Sequence, residues 1–324
     1  AGMVNNPIAI PLQGNRYFFL HKSVNDTTLS DDVFISIFDM NANGGMGEVV
    51  SLNNCLARFA SQGCLAVHKH ADGIRWWIIS RIVNSNKYRK WLLMQDGSIA
   101  EQDTQAIGIV YNLPDYFSQS VFNETGNIIV TGSNPEPPTV FGFDRCTGLL
   151  SLIDTIRNPA DTLSNRMVGA QFSPSGRYFY ISRFNYIDQY DLLTTKIDSS
   201  RVRIADASKN IFFGDNKFQK MQLAPNGKIY IQGYGSPIPL SVIKKPDSLG
   251  IACQIDTFSI PFPDSEIWFG MPTYPHYRTP AAEVYQADAG NSREVCDSLI
   301  AANGVTLGTP HVAGVSYQWS SPQN

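Results

Sequence analysis

The chain has 324 residues, 43% hydrophobic and 16% charged, with a formal charge of −3. That is an ordinary globular composition, long enough for one large or two medium domains. The near-neutral balance leaves no electrostatic footprint for nucleic acid or an anionic membrane, and no apolar run reaches the ~18 residues of a membrane-spanning helix. The opening "AGMVNNPIAIPL" lacks the basic start and apolar core of a signal peptide, so export implies a signal removed or lying upstream.

From there the chain repeats itself. "PLQGNRYFFL" at Gly14, "KHADGIRWWII" at Gly73, "FNETGNIIVTG" at Gly126, "FSPSGRYFYIS" at Gly176 and "LAPNGKIYIQG" at Gly227 share one pattern, spaced 59, 53, 50 and 51 residues apart. Each reads as a strand end, a tight turn, then an aromatic and β-branched run suited to a strand buried on both faces. The glycine supplies positive φ, and Pro174 and Pro225 preset the turn. Between these hairpins lie "VFISIFDMNANGG" (33–45), "YRKWLLMQDGS" (88–98), "VFGFDRCTGLLS" (140–151), "YIDQYDLLTTKI" (186–197) and "LSVIKKPDSLG" (240–250), each a strand, a polar turn and a further strand.

A period near 50 with four strands per repeat predicts an all-β fold, a β-propeller with at least five blades. No long segment shows 3.6-residue apolar periodicity, so helices should be few. Because the chain opens directly on a strand, one or two more blades are expected before Ala1, making seven in the intact protein. The five prolines of 260–280 cannot sit in central strands and mark the end of the ring. The propeller is thus assigned to 1–280. Residues 281–324, with short alternating strands and Trp319 in a Tyr-x-Trp strand, read as the first part of an immunoglobulin/PKD-like sandwich, expected to continue beyond Asn324.

The five cysteines (Cys55, Cys64, Cys146, Cys253, Cys296) form no C-x-x-C pair, which argues against a zinc ribbon or a thioredoxin-like motif. Cys55 and Cys64 could close a local disulfide in an oxidising compartment; buried free thiols are the plain alternative.

Taken in order, "AVHKHADGIRWWIISR", "VFGFDRCTGLLS", "GAQFSPSGRYFYISR", "QYDLLT" and "MQLAPNGKIYI" resemble the propeller of large secreted Bacteroidota proteins. The similar stretch runs from about residue 7 to 280, and "ADAGNSREVCDSLIAANGVTLGTP" resembles the start of the PKD or immunoglobulin-like module that follows it. The resemblance implies a secreted or outer-surface protein involved in adhesion or surface assembly, exported by type IX secretion and related to gliding motility. Its partners would be surface proteins, glycans, later modules of the same chain and the secretion machinery. The family's own sorting tail is absent from these residues. Bacteria of this group O-glycosylate Asp-Ser/Thr-aliphatic motifs, which would make Thr27, Thr155, Thr162, Ser248 and Ser298 acceptors. Composition gives about one such match by chance, although Asp-Ser and Asp-Thr also favour turns.

Candidate chemistry is sparse. On a strand His68 and His70 face one side two residues apart and could chelate zinc or copper, but the equivalents of His68 are Val121, Gln171 and Gln222, an ordinary blade position. Trp76 and Trp77 could stack on sugar, yet by their equivalents at least one of them belongs to the core. Trp268, in an irregular segment, is better placed for exposure. Seven residues past the turn glycines stand His21, Ser80, Ser133, Arg183 and Tyr234, where the second strand runs out towards one face; His21, Arg183 and Tyr234 are the binding candidates there. No G-x-S-x-G, H-E-x-x-H or Walker loop occurs, and no cofactor is implied. The expectation is a non-catalytic binding module. The alternatives are a propeller-based glycan hydrolase or lyase using the central funnel, or a structural spacer in an assembly.

Overall fold

The structure, a computed structural model, describes residues 7–25, 30–112, 118–132, 136–157, 167–207, 217–233, 239–261 and 274–282. The chain divides into two compact units, Ala1–Ala281 and Ala282–Asn324. The predicted half-sandwich lies outside the described residues, as do Tyr234, Trp268, Thr27, Thr162 and Ser298. Among the described residues the regular structure is strand, apart from short 3-10 turns, and no helix is long and apolar enough to cross a membrane.

The strands form one seven-stranded and three four-stranded antiparallel sheets; the long fourth strand divides the seven-stranded one in two, which gives five four-stranded sheets in chain order. The first holds β1 (Ile8–Leu12), β2 (Arg16–Asn25), β3 (Ser30–Asp39) and the first half of β4 (Glu48–Lys69). The second holds the rest of β4, β5 (Trp76–Ile82), β6 (Lys87–Leu93) and β7 (Ile99–Ala106). The third holds β8 (Val121–Phe122), β9 (Ile128–Thr131), β10 (Thr139–Phe143) and β11 (Leu150–Thr155). The fourth holds β12 (Gly169–Phe172), β13 (Tyr178–Ser182), β14 (Tyr186–Asp191) and β15 (Val202–Asp206). The fifth holds β16 (Phe218–Leu223), β17 (Ile229–Gly233), β18 (Leu240–Ile243) and β19 (Ile255–Ile260). The outermost strand of the first sheet runs straight on as the innermost strand of the second: β4 pairs with β3 up to Ala60, and with β5 from there to Lys69.

This shared strand corrects the disulfide expectation. Cys55 and Cys64 lie on β4, nine residues apart along extended backbone, which is roughly 30 Å at the strand rise where a disulfide needs Cα atoms within about 7 Å. Both are free thiols, Cys55 exposed and Cys64 buried.

The repeated turn follows from its glycine. Gly14, Gly73, Gly126, Gly176 and Gly227 have φ of 75, 74, 74, 73 and 75°, a region that costs glycine nothing. In the second, third and fourth sheets the loop closes identically, by His70 N–H to Arg75 O, Asn123 N–H to Ile128 O and Ser173 N–H to Tyr178 O, at 2.8–3.0 Å. In the fifth, Ala224 N–H bonds to Lys228 O, so the loop is one residue shorter. A one-residue change exchanges the two faces of the following strand. Ile129 and Phe179, three past their glycines, pack towards the preceding sheet; in the fifth sheet Ile229 and Ile231, two and four past, do so instead, and Tyr230 between them is left half-exposed.

Consecutive sheets bury their faces against one another in four apolar clusters. Phe18 and Leu20 of the first meet Trp76 and Ile78 of the second. Trp77 and Ile79 meet Phe122 and Phe141 of the third. Val130 and Val140 meet Phe172 and Phe179 of the fourth. Tyr178 and Tyr180 meet Met221 and Ile231 of the fifth. Three of the inner turns also dock on the outer turn of the next sheet, by Gln13 N–H to Gln95 O, Ala71 N–H to Arg145 O and Ser175 N–H to Asp247 Oδ1, all 3.0–3.1 Å.

The innermost strands approach most closely at Gly169, where an added Cβ would lie 2.2 Å from Gln219 O and 2.8 Å from Lys220 Cα. Backbone atoms cannot yield as a side-chain tip can. Gly169→Ala is therefore expected to destabilise by about 2 kcal/mol, seen as a lower denaturant midpoint at an unchanged slope. An unaltered midpoint would show that the two strands can part.

Candidate functional site

The innermost strands (β1, the second half of β4, β8, β12 and β16) converge, and the residues five positions before the turn glycines, Ala9, His68, Val121, Gln171 and Gln222, come to the turn end of that convergence. Residues 274–281 cross this end as a strap. The Tyr277 hydroxyl donates to Ala9 O (2.7 Å), His276 Nε2–H to Phe122 O (3.2 Å), Thr279 Oγ1 to Glu124 O (2.9 Å), and Tyr274 N–H to Gln222 Oε1 (3.4 Å). Arg145 clasps the strap to the sheets, donating to Lys69 O, His70 O, Thr125 O and Pro280 O. Beneath the strap a cavity of about 30 Å³ is lined by Gln119, Gln171, Gln222 and His276 among apolar walls. That is room for about two water molecules and not for a sugar ring.

The opposite end is charged. Antiparallel pairing lays the end of β2 beside the start of β1, which brings Lys22 to the starts of the innermost strands. Lys22 Nζ lies 3.4 Å from Asp31 Oδ2 and donates to Ser61 O (3.0 Å), all three residues buried. Arg81 donates to Ser61 Oγ (3.1 Å) and lies 3.6 Å over the Tyr111 ring. Lys220, on β16, is close enough for Lys22 and Asp31 to act on its charge. Burial, with Lys22 adding to it and Asp31 opposing, pulls the Lys220 ammonium down to about 8. Gln119 forms a crossbar between the two ends: its Nε2–H donates to Met221 O, and its Oε1 accepts from Met221 N–H and Ala170 N–H, so one side chain ties the third sheet to the fourth and fifth.

The residues singled out from sequence fall elsewhere. Arg183 is buried, its Nε donating to Asp188 Oδ2 (2.9 Å) and a terminal nitrogen to the Tyr190 hydroxyl (2.7 Å), while Arg203 shares Asp188. His21 stacks on Phe34 and lies 3.1 Å from Ser36 Oγ, its imidazolium disfavoured by burial. Each is committed within its own sheet.

His68 Nδ1–H donates to Lys69 O, and its ring faces His276 at 5.8 Å. Burial, with smaller contributions from His276 and Arg145, pushes its pKa down to about 3, so His68 is neutral. His70 donates from Nε2 to Cys146 O and accepts Asp72 N–H at Nδ1, pinning the second sheet's turn to the third sheet. Among the described residues no group of three or more His, Cys, Asp or Glu is arranged to hold a metal ion. Trp76 and Trp77 are both core.

Thr155 and Ser248 are half-buried. The aspartates of their motifs are engaged between sheets, Asp154 accepting Ile197 N–H and Asp247 accepting Ser175 N–H. The charged end was missed because Lys22 and Lys220 stand far apart in sequence and outside every motif; their nearest sequence signal was position, at strand ends on the face where His21 and Arg183 were sought.

No family model and no curated protein matches the chain. Similar solved structures include a protein from Bacteroides uniformis described as a "putative 6-phosphogluconolactonase", 13% identical over 82% of this chain and 86% of that one, with a TM-score of 0.46. They also include a puromycin hydrolase S511A mutant complexed with PGG, 10% identical over 79% of this chain and 37% of that one, with a TM-score of 0.44. Both descriptions are of enzymes, against the sequence expectation of a non-catalytic module. The case for chemistry here rests on the chain's own residues.

Proposed function

We propose that the chain is a β-propeller whose five sheets are its blades, and that it is a glycan-cleaving enzyme of lyase type acting at the charged end of the convergence. The observation that carries this is the buried Lys22–Asp31 pair at 3.4 Å, with Lys220 near enough for both charges to act on it. Buried charges are costly, several kcal/mol per ion, and clusters with perturbed titration mark functional sites. A glycosidase takes a pair of carboxylates; here Asp31 lies beside Lys22 with Lys220 near, a cationic setting that matches an acidic sugar better than hydrolysis.

In this reading the Lys22 ammonium, 3.4 Å from Asp31, pairs with the substrate's uronate carboxylate. The neutral Lys220 amine removes the proton α to that carboxylate, and the negative charge develops where Lys22 stabilises it. The electron pair then forms the carbon–carbon double bond and expels the glycosidic oxygen, which takes the proton back from Lys220. An exported, surface-associated setting belongs to the same proposal and is supported by the sequence resemblance.

The test is the absorbance of the conjugated unsaturated uronate, measured with polygalacturonate, alginate and glycosaminoglycan substrates. Lys220→Met is expected to lower the rate about a hundredfold, as loss of a general base does, with little change in unfolding midpoint. If the wild-type chain releases reducing ends without unsaturated product, the lyase assignment fails. If Lys220→Met cleaves at the wild-type rate, so does the role of Lys220.

A further inference from the structure

We infer that Gln232 is a ligand-binding residue of the charged end, its side-chain amide reading two neighbouring hydroxyls of an acidic sugar. The inference rests on the proposed function for the kind of ligand alone, and not for the chemistry of cleavage.

Gln232 lies on β17 and is 2% exposed, and neither its Oε1 nor its Nε2 has a hydrogen-bond partner. Other buried glutamines show what this fold ordinarily provides. Gln119 donates to Met221 O and accepts from Met221 N–H and Ala170 N–H. Gln189 donates to the Tyr180 hydroxyl and Ser248 O, and accepts Gly250 N–H. Burying an amide with both ends unmatched costs stability. A side chain kept at that cost is explained when a partner from outside the chain engages it.

The ladder places this amide beside Lys220. Ile229 and Ile231 pack towards the fourth sheet, so alternation turns Gln232 to the opposite face. The shorter turn of the fifth sheet is responsible: five past their own glycines, Thr131 bonds back to Tyr88 and Ile181 packs against the third sheet, whereas Gln232 faces away from the sheet before it. Across the ladder, Phe218 pairs with Gly233 and Met221 with Ile231. Gln232 therefore stands opposite two residues of a bulge, Gln219 and Lys220. Cross-strand neighbours of this kind act on the same ligand.

The amide also limits what that ligand can be. It is uncharged and offers an acceptor and a donor side by side. A carboxylate has acceptors only and would leave Oε1 unmatched. Two adjacent ring hydroxyls satisfy both ends, one donating to Oε1 and the other accepting from Nε2. The charge of a uronate then goes to the lysines and its hydroxyls to Gln232.

The experiment is a calorimetric titration of the full chain with galacturonate, glucuronate and mannuronate. It is repeated with Gln232→Met, which keeps the length of the side chain and removes both polar atoms. The variant is expected to bind about tenfold more weakly, the worth of an ordinary hydrogen bond. Its denaturant midpoint should equal or exceed that of the wild type, because an unmatched buried amide has gone. The 2,3-di-O-methyl form of the same uronate should lose affinity for the wild type and not for Gln232→Met. Unchanged affinity in the folded variant overturns the proposal, as does a wild-type chain that binds none of the three sugars. Equal weakening of both proteins by methylation overturns it too. Unsaturated product formed at an unchanged KM by Gln232→Met would overturn this inference and leave the lyase reading intact. Binding that depends on Gln232, with no unsaturated product from any polymer, would support it and overturn that reading. Should Gln232→Met not fold, the side-chain amide resonances of Gln232 are followed in the wild-type chain, assigned through its own backbone. A shift on adding the uronates supports the proposal, and resonances unmoved at saturation overturn it.

Discussion

Replacing Arg145 with alanine is expected to destabilise the protein by about 4 kcal/mol and to free the strap. The guanidinium donates to four carbonyls, Lys69 O and His70 O on the second sheet's turn, Thr125 O on the third's, and Pro280 O on the strap, at 2.7–3.2 Å. Hydrogen bonds from a charged donor are worth roughly 1.5–3 kcal/mol each, and the alanine leaves carbonyls without their partner. Arg145 is only half-buried, so solvent returns part of that loss and the four do not add in full. Lysine restores the charge without the planar fork of donors that reaches several acceptors at once, and is expected to recover under half the loss. The checks are a denaturant titration and hydrogen exchange at Tyr277 and Thr279. Unchanged exchange there would mean that the strap is held by its own side chains.

Acid is expected to undo the same end of the molecule through His68. Its folded pKa is about 3, against about 6.5 in an unfolded chain, so the unfolded state takes up the proton first. The stability is fully present above pH 6.5 and is lost as pH falls from 6.5 towards 3. At pH 4.5 the loss from His68 alone comes to about 3 kcal/mol. His276 faces it and is also depressed by burial, with the Phe122 carbonyl and the Glu124 charge opposing, so it steepens the fall. Arg145 adds a further positive charge nearby, and the carbonyls of Lys69 and Glu124 oppose the shift. Denaturant midpoints measured between pH 7.5 and 4.5 should show this slope in the wild-type chain and a shallower one in His68→Gln. Parallel slopes in the two proteins would place the acid-sensitive group elsewhere.

Much of this architecture was legible because one physical requirement was written five times. A tight hairpin between buried strands needs a residue at positive φ, and Gly14, Gly73, Gly126, Gly176 and Gly227 all adopt it. The outer strands were legible too, since β6, β10 and β14 begin within a residue of the runs read from sequence. Three features were not. The seam between the first two sheets carries no turn signal because β4 passes through it unbroken. The exchanged faces of β17 came from a loop one residue shorter, which alignment on the glycine conceals.

The charged end depends on pairs brought together by the convergence of distant strands. Lys22, on β2, and Lys220, on β16, are near enough for one charge to act on the other although they stand far apart in sequence, and neither neighbourhood carries a motif. Arg183 looked available for the opposite reason: at a strand end it reads as a surface residue, and only the fold reveals Asp188 and Tyr190 waiting for it. The prolines near 275 correctly excluded a central strand, but the acceptors that the strap satisfies are backbone carbonyls, which no side-chain pattern announces.

The proposed chemistry requires an amine on Lys220 whose neutral form is within reach near physiological pH, as a titration midpoint near 8 allows for a minor fraction. The most direct measurement is the rate of acylation of Lys220 as a function of pH, read peptide by peptide in the mass spectrometer beside the exposed Lys244 and Lys245. The account predicts a half-maximal reactivity near pH 8 for Lys220, more than two pH units below the ordinary lysine value of about 10.4. A Lys220 midpoint indistinguishable from an ordinary lysine would contradict it.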